Sequence, residues 1–308
     1  MTITIIIPTY RRPRELARCL GALRNQSRQA DEIIVVVRDT DTETKALLAG
    51  LDEASIEIRL VTVRAGGQVA ALNAGLNAAK SDIIVFTDDD TIPHPDWFER
   101  IERDFMSDPG LGGLGGRDYL YRDGIFLGGY KAEVGKIRWF GQIIGNHHLG
   151  DGNPREVGHL KGVNMSYRSE AVAGLRFDER LRGQGAQYRN DMAFSLAVKR
   201  AGWKLIYDPA VAIDHFDAAR YDEDNRTQFN PSAVENAAYN EMLIFLNYLP
   251  FAKRVICIIY SVLVGTLYTP GLAQWLRVLI TKRKNTWVRV MASVQGGWKC
   301  FRDRSSQE

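Results

Sequence analysis

Three aspartates in a row, Asp88-Asp89-Asp90, close the apolar run Ile83–Phe86 after a single threonine. Carboxylates this close repel one another. They are tolerated where a divalent cation or a hydrogen-bonded ligand shares the site. In an extended chain, positions i and i+2 project to one side. Asp88 and Asp90 are therefore fit to hold a cation together and to leave its other positions open to phosphate oxygens. A solvated acidic turn is the plainer alternative, and the buried run before it and Pro93 after it weigh against that. His147-His148, with His159, is a second group of metal-ligating types. Adjacent histidines of an extended segment face opposite ways, so a shared metal is not expected there.

The elements that must position these residues are legible in the first ninety positions. Ile3–Ile7 is a β-branched run stopped by Pro8-Thr9-Tyr10. Pro13 suits a first helical turn, and Leu16, Leu20 and Leu23 follow at helical spacing. Ile33–Val37 is continuously apolar, as expected of a strand buried on both faces. Ile56–Val63 alternates and turns at Ala65-Gly66-Gly67. Val69, Leu72, Leu76 and Ala79 then mark one helix face. Such strand–helix alternation predicts right-handed crossovers and a parallel sheet, with ligands beyond the carboxyl ends of the strands. Those ends are residues 8–12, 38–41, 64–68 and 88–90. Residues 91–216 are less regular, with one clear helix from about Asp191 to Ala201.

Bulk properties narrow the class. The chain has 308 residues, 25% charged and 45% hydrophobic, which excludes a mainly disordered or fibrous protein. A net charge of +3 gives no sign of nucleic-acid binding. Three dispersed cysteines exclude a disulfide framework or a CxxC zinc knuckle. The opening MTITIIIPTYRRP lacks the basic n-region and long apolar core of a signal peptide. PTYRR has no glycine-rich phosphate loop, which argues against a dinucleotide oxidoreductase or a sugar nucleotidyltransferase.

Taken in order, IIIPTYRR, EIIVVVRDTDTET, AGGQVAALNAGLNAAKSDIIVFTDDD, KGVNMSYRSEA and RNDMAFSLAVKRAGWKLIYDPAVAIDH resemble a family 2 glycosyltransferase of the GT-A fold over residues 3–216. The resemblance implies an α/β fold with a mostly parallel central sheet and helices on both faces. A domain over 1–250 is expected, with 1–90 binding nucleotide and 91–250 facing the acceptor. It places Pro8, Thr9, Tyr10 and Arg12 around base and diphosphate. Where the family has two acids after its second strand, this chain has Arg38-Asp39, so Asp39 becomes the expected base contact and uracil the expected base. Gln68 and Asn73 fall near the donor, although Asn73 can equally cap or pack. Asp88 and Asp89 go to the donor, and Asp90, Asp88 and His215 to Mg²⁺ or Mn²⁺. Asp191 corresponds to the general base, with Asn190 where a glutamate is usual; a helix N-cap is the other reading of this pair. Gly162, Val163 and Asn164 would floor the sugar or acceptor pocket, unless Gly162 only makes a turn. The implied activity is inverting transfer from a nucleotide-sugar donor, a UDP-sugar, to a glycan or lipid-linked glycan. A non-catalytic nucleotide- or glycan-binding relative is the alternative.

Residues 251–308 form a basic, apolar tail, with ten Lys/Arg against two acids. Val255–Leu276 carries no formal charge but is broken by Thr269-Pro270-Gly271. Basic flanks at both ends oppose a single span. The expectation is a re-entrant or interfacial helix pair on the cytoplasmic face of the cell membrane, with Trp275, Trp287 and Trp298 at the boundary. Packing on the body or a dimer contact is the soluble alternative.

Overall fold

The computed structural model describes residues 1–51, 57–218, 229–266, 268–281 and 285–305. Ile56, Lys282, Arg283 and Lys284 lie outside these. The chain runs β1 (Ile3–Thr9), α1 (Pro13–Arg24), β2 (Glu32–Arg38), α2 (Thr42–Ala49), β3 (Ile58–Val63), α3 (Gln68–Ala78), β4 (Ile83–Thr87), β5 (Thr91–Pro93), α4 (Trp97–Ser107) and β6 (Leu111–Arg122). Four two-residue strands follow, β7 (Ile125–Phe126), β8 (Lys136–Ile137), β9 (Ile143–Ile144) and β10 (Arg155–Glu156). The rest is β11 (Asn164–Arg168), α5 (Asn190–Arg200), β12 (Lys204–Phe216), α6 (Pro231–Tyr248), α7 (Phe251–Leu263), α8 (Leu272–Thr281) and α9 (Thr286–Ser305).

One large sheet has the order β10-β12-β6-β11-β4-β1-β2-β3. The ladders β4/β1, β1/β2 and β2/β3 are parallel, as is β12/β6. β11 runs antiparallel between β4 and β6. The continuous apolar runs follow from burial on both faces. Ile6, Ile34, Val36, Ile84 and Phe86 join a core with α3, α5 and α6. Ile5, Ile33, Val35, Val37 and Val85 join a second core with α1 and α4. Neighbouring residues of one strand thus serve opposite layers, the period of two expected of a pleated chain.

The tail docks on the body. α9 lies along α6, and Cys257, Ala292 and Cys300 are buried. The approach is close enough that a Cβ at Gly296 would stand 2.1 Å from the Glu235 carbonyl oxygen. Arg182 also pairs with Asp303 at 2.6 Å. The uncharged stretch is broken as its Pro-Gly predicts, with α7 ending at Leu263 and α8 starting at Leu272. Among the described residues no helix is long and apolar enough to cross a membrane.

Candidate active site

The carboxyl ends of β1, β2 and β4 open on a cleft of about 140 Å³ lined by Pro8, Thr9, Tyr10, Arg12, Arg38, Gln68 and the three aspartates, among others. The strand period divides the aspartates. Asp89 turns inward and is 2% exposed. One oxygen accepts from Thr9 Oγ1 at 2.7 Å and the other from Arg12 at 2.8 Å. Asp89 therefore ties down the loop after β1. Burial pushes its carboxyl up to about 7, against the pull of Arg12.

Asp88 and Asp90 lie on the other side of the strand end with His215, their ligating atoms within 4.8 Å of one another. Two carboxylates and an imidazole suit Mg²⁺ or Mn²⁺. Asp90 Oδ1 is buried without a hydrogen-bond partner among the described residues, an orphan that a cation would satisfy. His215 is the last link of an unforeseen chain. Its Nε2 stands 3.5 Å from Asp90 Oδ1 and its Nδ1 3.5 Å from Asp118 Oδ2. Asp118 is fully buried and also pairs with Lys161. Although burial alone would raise it, Lys161 and His215 hold the Asp118 carboxyl down to about 2. An ionised carboxylate on Nδ1 keeps the proton there and presents Nε2 to the cation. Asp118→Asn is therefore expected to weaken Mn²⁺ binding about 10- to 100-fold. Calorimetric titration checks this; in a His215→Gln background the same change should cost little more.

The other side of the cleft comes from the segment before α5. Gly185 and Ala186 line it. Gln68 donates to Asp88 at 3.2 Å and accepts from Asn190 at 3.1 Å, linking the aspartates to the start of α5. Asn190, expected on the acceptor side, is tied here to Gln68 and to the Ala186 carbonyl. At the next position Asp191 accepts from the Gly162 N–H at 2.9 Å and the Met192 N–H at 2.8 Å. The Gly162 N–H thus helps to aim this carboxylate. Arg189, with φ 69°, is anchored by Glu241 at 2.8 Å. A left-handed non-glycine residue is uncommon, and here the ion pair holds it.

Three expected site residues lie elsewhere. Asn73 is buried, exchanging hydrogen bonds with the Phe177 backbone at 2.9 and 3.0 Å; it packs α3 against the segment before α5. Asn164 is buried too, accepting from Trp97 Nε1 at 3.1 Å and donating to the Val211 carbonyl at 2.8 Å. It joins β11 to α4 and β12 and faces no cleft. Asp39 is exposed and does not line the cleft; Arg38 does. Alternation decides this, because Arg38 shares a face with the cleft-lining Val36 and Asp39 does not. Nor is the start of α3 an anion site. Its Gln68 and Val69 N–H groups donate to the Gly185 carbonyl and to Gln187. His147 is buried and held near pH 3 by desolvation, away from the cleft. Arg38 was legible from the strand period, whereas Asp118, a lone acid in a glycine-rich stretch, carries no local signal.

Comparison with known proteins agrees with this geometry. Glycosyltransferase AglE of Haloferax volcanii is 30% identical over 102 residues, 32% of this chain and 33% of that one. The chondroitin synthase of Escherichia coli is 31% identical over 170 residues, 53% of this chain and 25% of that one. The chain thus matches a third or less of the length of these relatives. Among solved structures, S. aureus TarS 1–349 in complex with UDP-GlcNAc superposes with a TM-score of 0.59 at 16% identity, covering 85% of this chain and 72% of that one. The mannosyltransferase PcManGT from Pyrobaculum calidifontis, in complex with GDP-Man and Mn²⁺, gives 0.58 at 16% identity, covering 98% and 87%. Both share the GT-A-type fold. Residues 4–172 match Glycosyl transferase family 2, more than half of the chain, and with the aspartate pair at the end of β4 this makes the protein a member of that glycosyltransferase family.

Proposed function

We propose that this chain is an inverting, metal-dependent glycosyltransferase, moving a sugar from a nucleoside diphosphate to a hydroxyl of a glycan or lipid-linked glycan. One observation carries the reading: a cation-ligating trio and a backbone-aimed carboxylate are joined through Asp88, Gln68 and Asn190. Mg²⁺ or Mn²⁺, when bound by Asp88, Asp90 and His215, offsets negative charge on the departing diphosphate. Asp191 takes the proton of the acceptor hydroxyl as its oxygen attacks the anomeric carbon. Attack opposite the diphosphate inverts the stereochemistry. The two amide donors fix the carboxylate's direction, and each oxygen keeps capacity for a further hydrogen bond. A uridine donor was expected through Asp39, which stands off the cleft, so that support falls away. The test is nucleoside diphosphate release from a panel of sugar donors, with and without Mn²⁺, over glycan and lipid-linked acceptors. Release that needs both acceptor and metal supports the reading; release that persists when metal is chelated overturns its metal-dependent form.

The tail is the proposed attachment to an anionic membrane surface on the cytoplasmic side. Phe251, Trp287 and Trp298 are 77%, 58% and 69% exposed on a segment whose basic residues outnumber acids ten to two. Basic residues near such a surface contribute about 1 kcal/mol each, and salt weakens them. The full chain is expected to pellet with anionic but not neutral vesicles. Replacing Arg277, Lys282, Arg283 and Lys284 with serine should reduce both binding and its salt sensitivity. A chain left in the supernatant at low salt, or one that dimerises through this face instead, overturns the proposal.

A further inference from the structure

We propose that Lys161 is a positioning residue for the general base: through one tight turn it fixes Asp191 relative to the cation site. The inference rests on the reading of Asp191 as base and of Asp88, Asp90 and His215 as cation ligands. The turn spans residues 161–164 and is closed by the Asn164 N–H, which donates to the Lys161 carbonyl at 3.0 Å. It touches the base, the strand of the aspartate pair and the support of the imidazole. The Gly162 N–H donates to Asp191 Oδ2 at 2.9 Å. The Val163 carbonyl accepts from Thr87 Oγ1 at 2.8 Å, on the residue before Asp88. The Lys161 ammonium donates to Asp118 Oδ2, the oxygen that stands 3.5 Å from His215 Nδ1. Just ahead of the turn, the Leu160 N–H donates to Ser195 Oγ at 3.0 Å, one helical turn beyond Asp191 in α5.

Leu160, Gly162 and Val163 make these contacts with backbone atoms, so among residues 160–163 it is Lys161 whose tether depends on its side chain. Its anchor is firm. Asp118 is fully buried in β6, and a hydrogen bond between charged partners is among the strong ones. The ammonium thus pins the turn to the carboxylate that orients His215, and the next peptide N–H, on Gly162, points at Asp191. The bound diphosphate sets where the anomeric carbon stands, so the base must sit at a fixed separation from the cation. A misplacement of about 1 Å can cost 10²-fold in rate. Gln68 and Asn190 join the same two centres on the donor side. The turn joins them from the side of β6. With the tether cut, the Gly162 N–H can swing away, and Asp191 loses one of its two amide donors. The plainer role for Lys161 is to offset the buried charge of Asp118. That role predicts a loss of stability or of cation affinity, with no dependence on Asp191.

The experiment compares Lys161→Met in the full chain with the same change in Asp191→Asn, at saturating Mn²⁺ and donor. In the otherwise unaltered chain kcat should fall about 10- to 100-fold. Donor KM and calorimetric Mn²⁺ affinity should stay near those of the unaltered chain. In Asp191→Asn the change should cost little more, because the base that Lys161 positions is already lost. Hydrogen exchange reads the turn without turnover: the amides of residues 160–164 should exchange about tenfold faster in Lys161→Met. Lys161→Arg keeps the ion pair and should recover most of kcat. Should the unpaired Asp118 carboxylate keep Lys161→Met from folding, Lys161→Met combined with Asp118→Asn removes both charges. Read against Asp118→Asn alone, that chain should show the same fall in kcat and the same faster exchange. An equal fall in kcat in both backgrounds, unchanged exchange, or lost Mn²⁺ affinity with kcat intact at saturating metal overturns the proposal and leaves Lys161 as a charge partner of Asp118. If Asp191→Asn does not itself lower kcat, the reading of the base fails, and this inference with it.

Discussion

Asp191→Asn is expected to lower turnover by about 10²- to 10⁴-fold, the usual scale of general acid–base catalysis. Donor affinity should stay near that of the unaltered chain. The substitution is nearly isosteric. Gly162 and Met192 donate to different oxygens of the carboxylate, so the amide oxygen can accept from one of these N–H groups while the NH2 faces the other, and the start of α5 keeps part of its geometry. What disappears is the capacity to take a proton. Single-turnover rates with saturating donor, beside calorimetric donor affinity, separate the two effects. If donor affinity collapses while the chemical rate holds, Asp191 belongs to the donor site and the assignment of roles is wrong.

Asp90→Ala should abolish metal-dependent transfer and Mn²⁺ binding together. Asp90 supplies one of three ligating groups, and its Oδ1 has no hydrogen-bond partner among the described residues, His215 Nε2 standing 3.5 Å away. Its Oδ2 also receives the Ala218 N–H at 3.2 Å and lies 3.4 Å from Arg12. Some local loosening is expected where β12 ends, but the fold should hold because Asp89 keeps its own grip on the first loop. Activity that persists undiminished in the variant under chelation sinks the metal assignment. Retained Mn²⁺ affinity with lost activity would move Asp90 from cation binding to orientation of the sugar.

Much of the frame was legible because burial on both faces writes continuous apolar runs, as in Ile33–Val37 and Ile83–Phe86. The pairing of Asp88 with Asp90 followed from the same geometry, and α5 begins one residue before Asp191. Polar residues were harder. Asn73 and Asn164 resemble ligand-binding amides in sequence, yet each is consumed by backbone or indole groups far along the chain. Those partners meet only after the sheet has formed. Asp39 failed for a local reason: its type matched the chemistry, but its parity on the strand did not. The tail's seat on α6 depends on the absence of a side chain at Gly296, a contact that apolar periodicity does not report.

That seat bears on how the protein is made. α6 carries Tyr239, Met242, Leu243 and Phe245 into the same core as Phe86 of β4, and Cys300 of α9 joins them. During synthesis the sheet and α1 to α5 can assemble as soon as β12 has left the ribosome. The outer side of α6 stays wet until the residues around Ala292 and Cys300 emerge. Domains fold as units while they are made, and here the unit closes only with its last helix. A nascent chain halted near residue 285 would therefore carry an assembled cleft beside an open apolar flank, a natural target for chaperones.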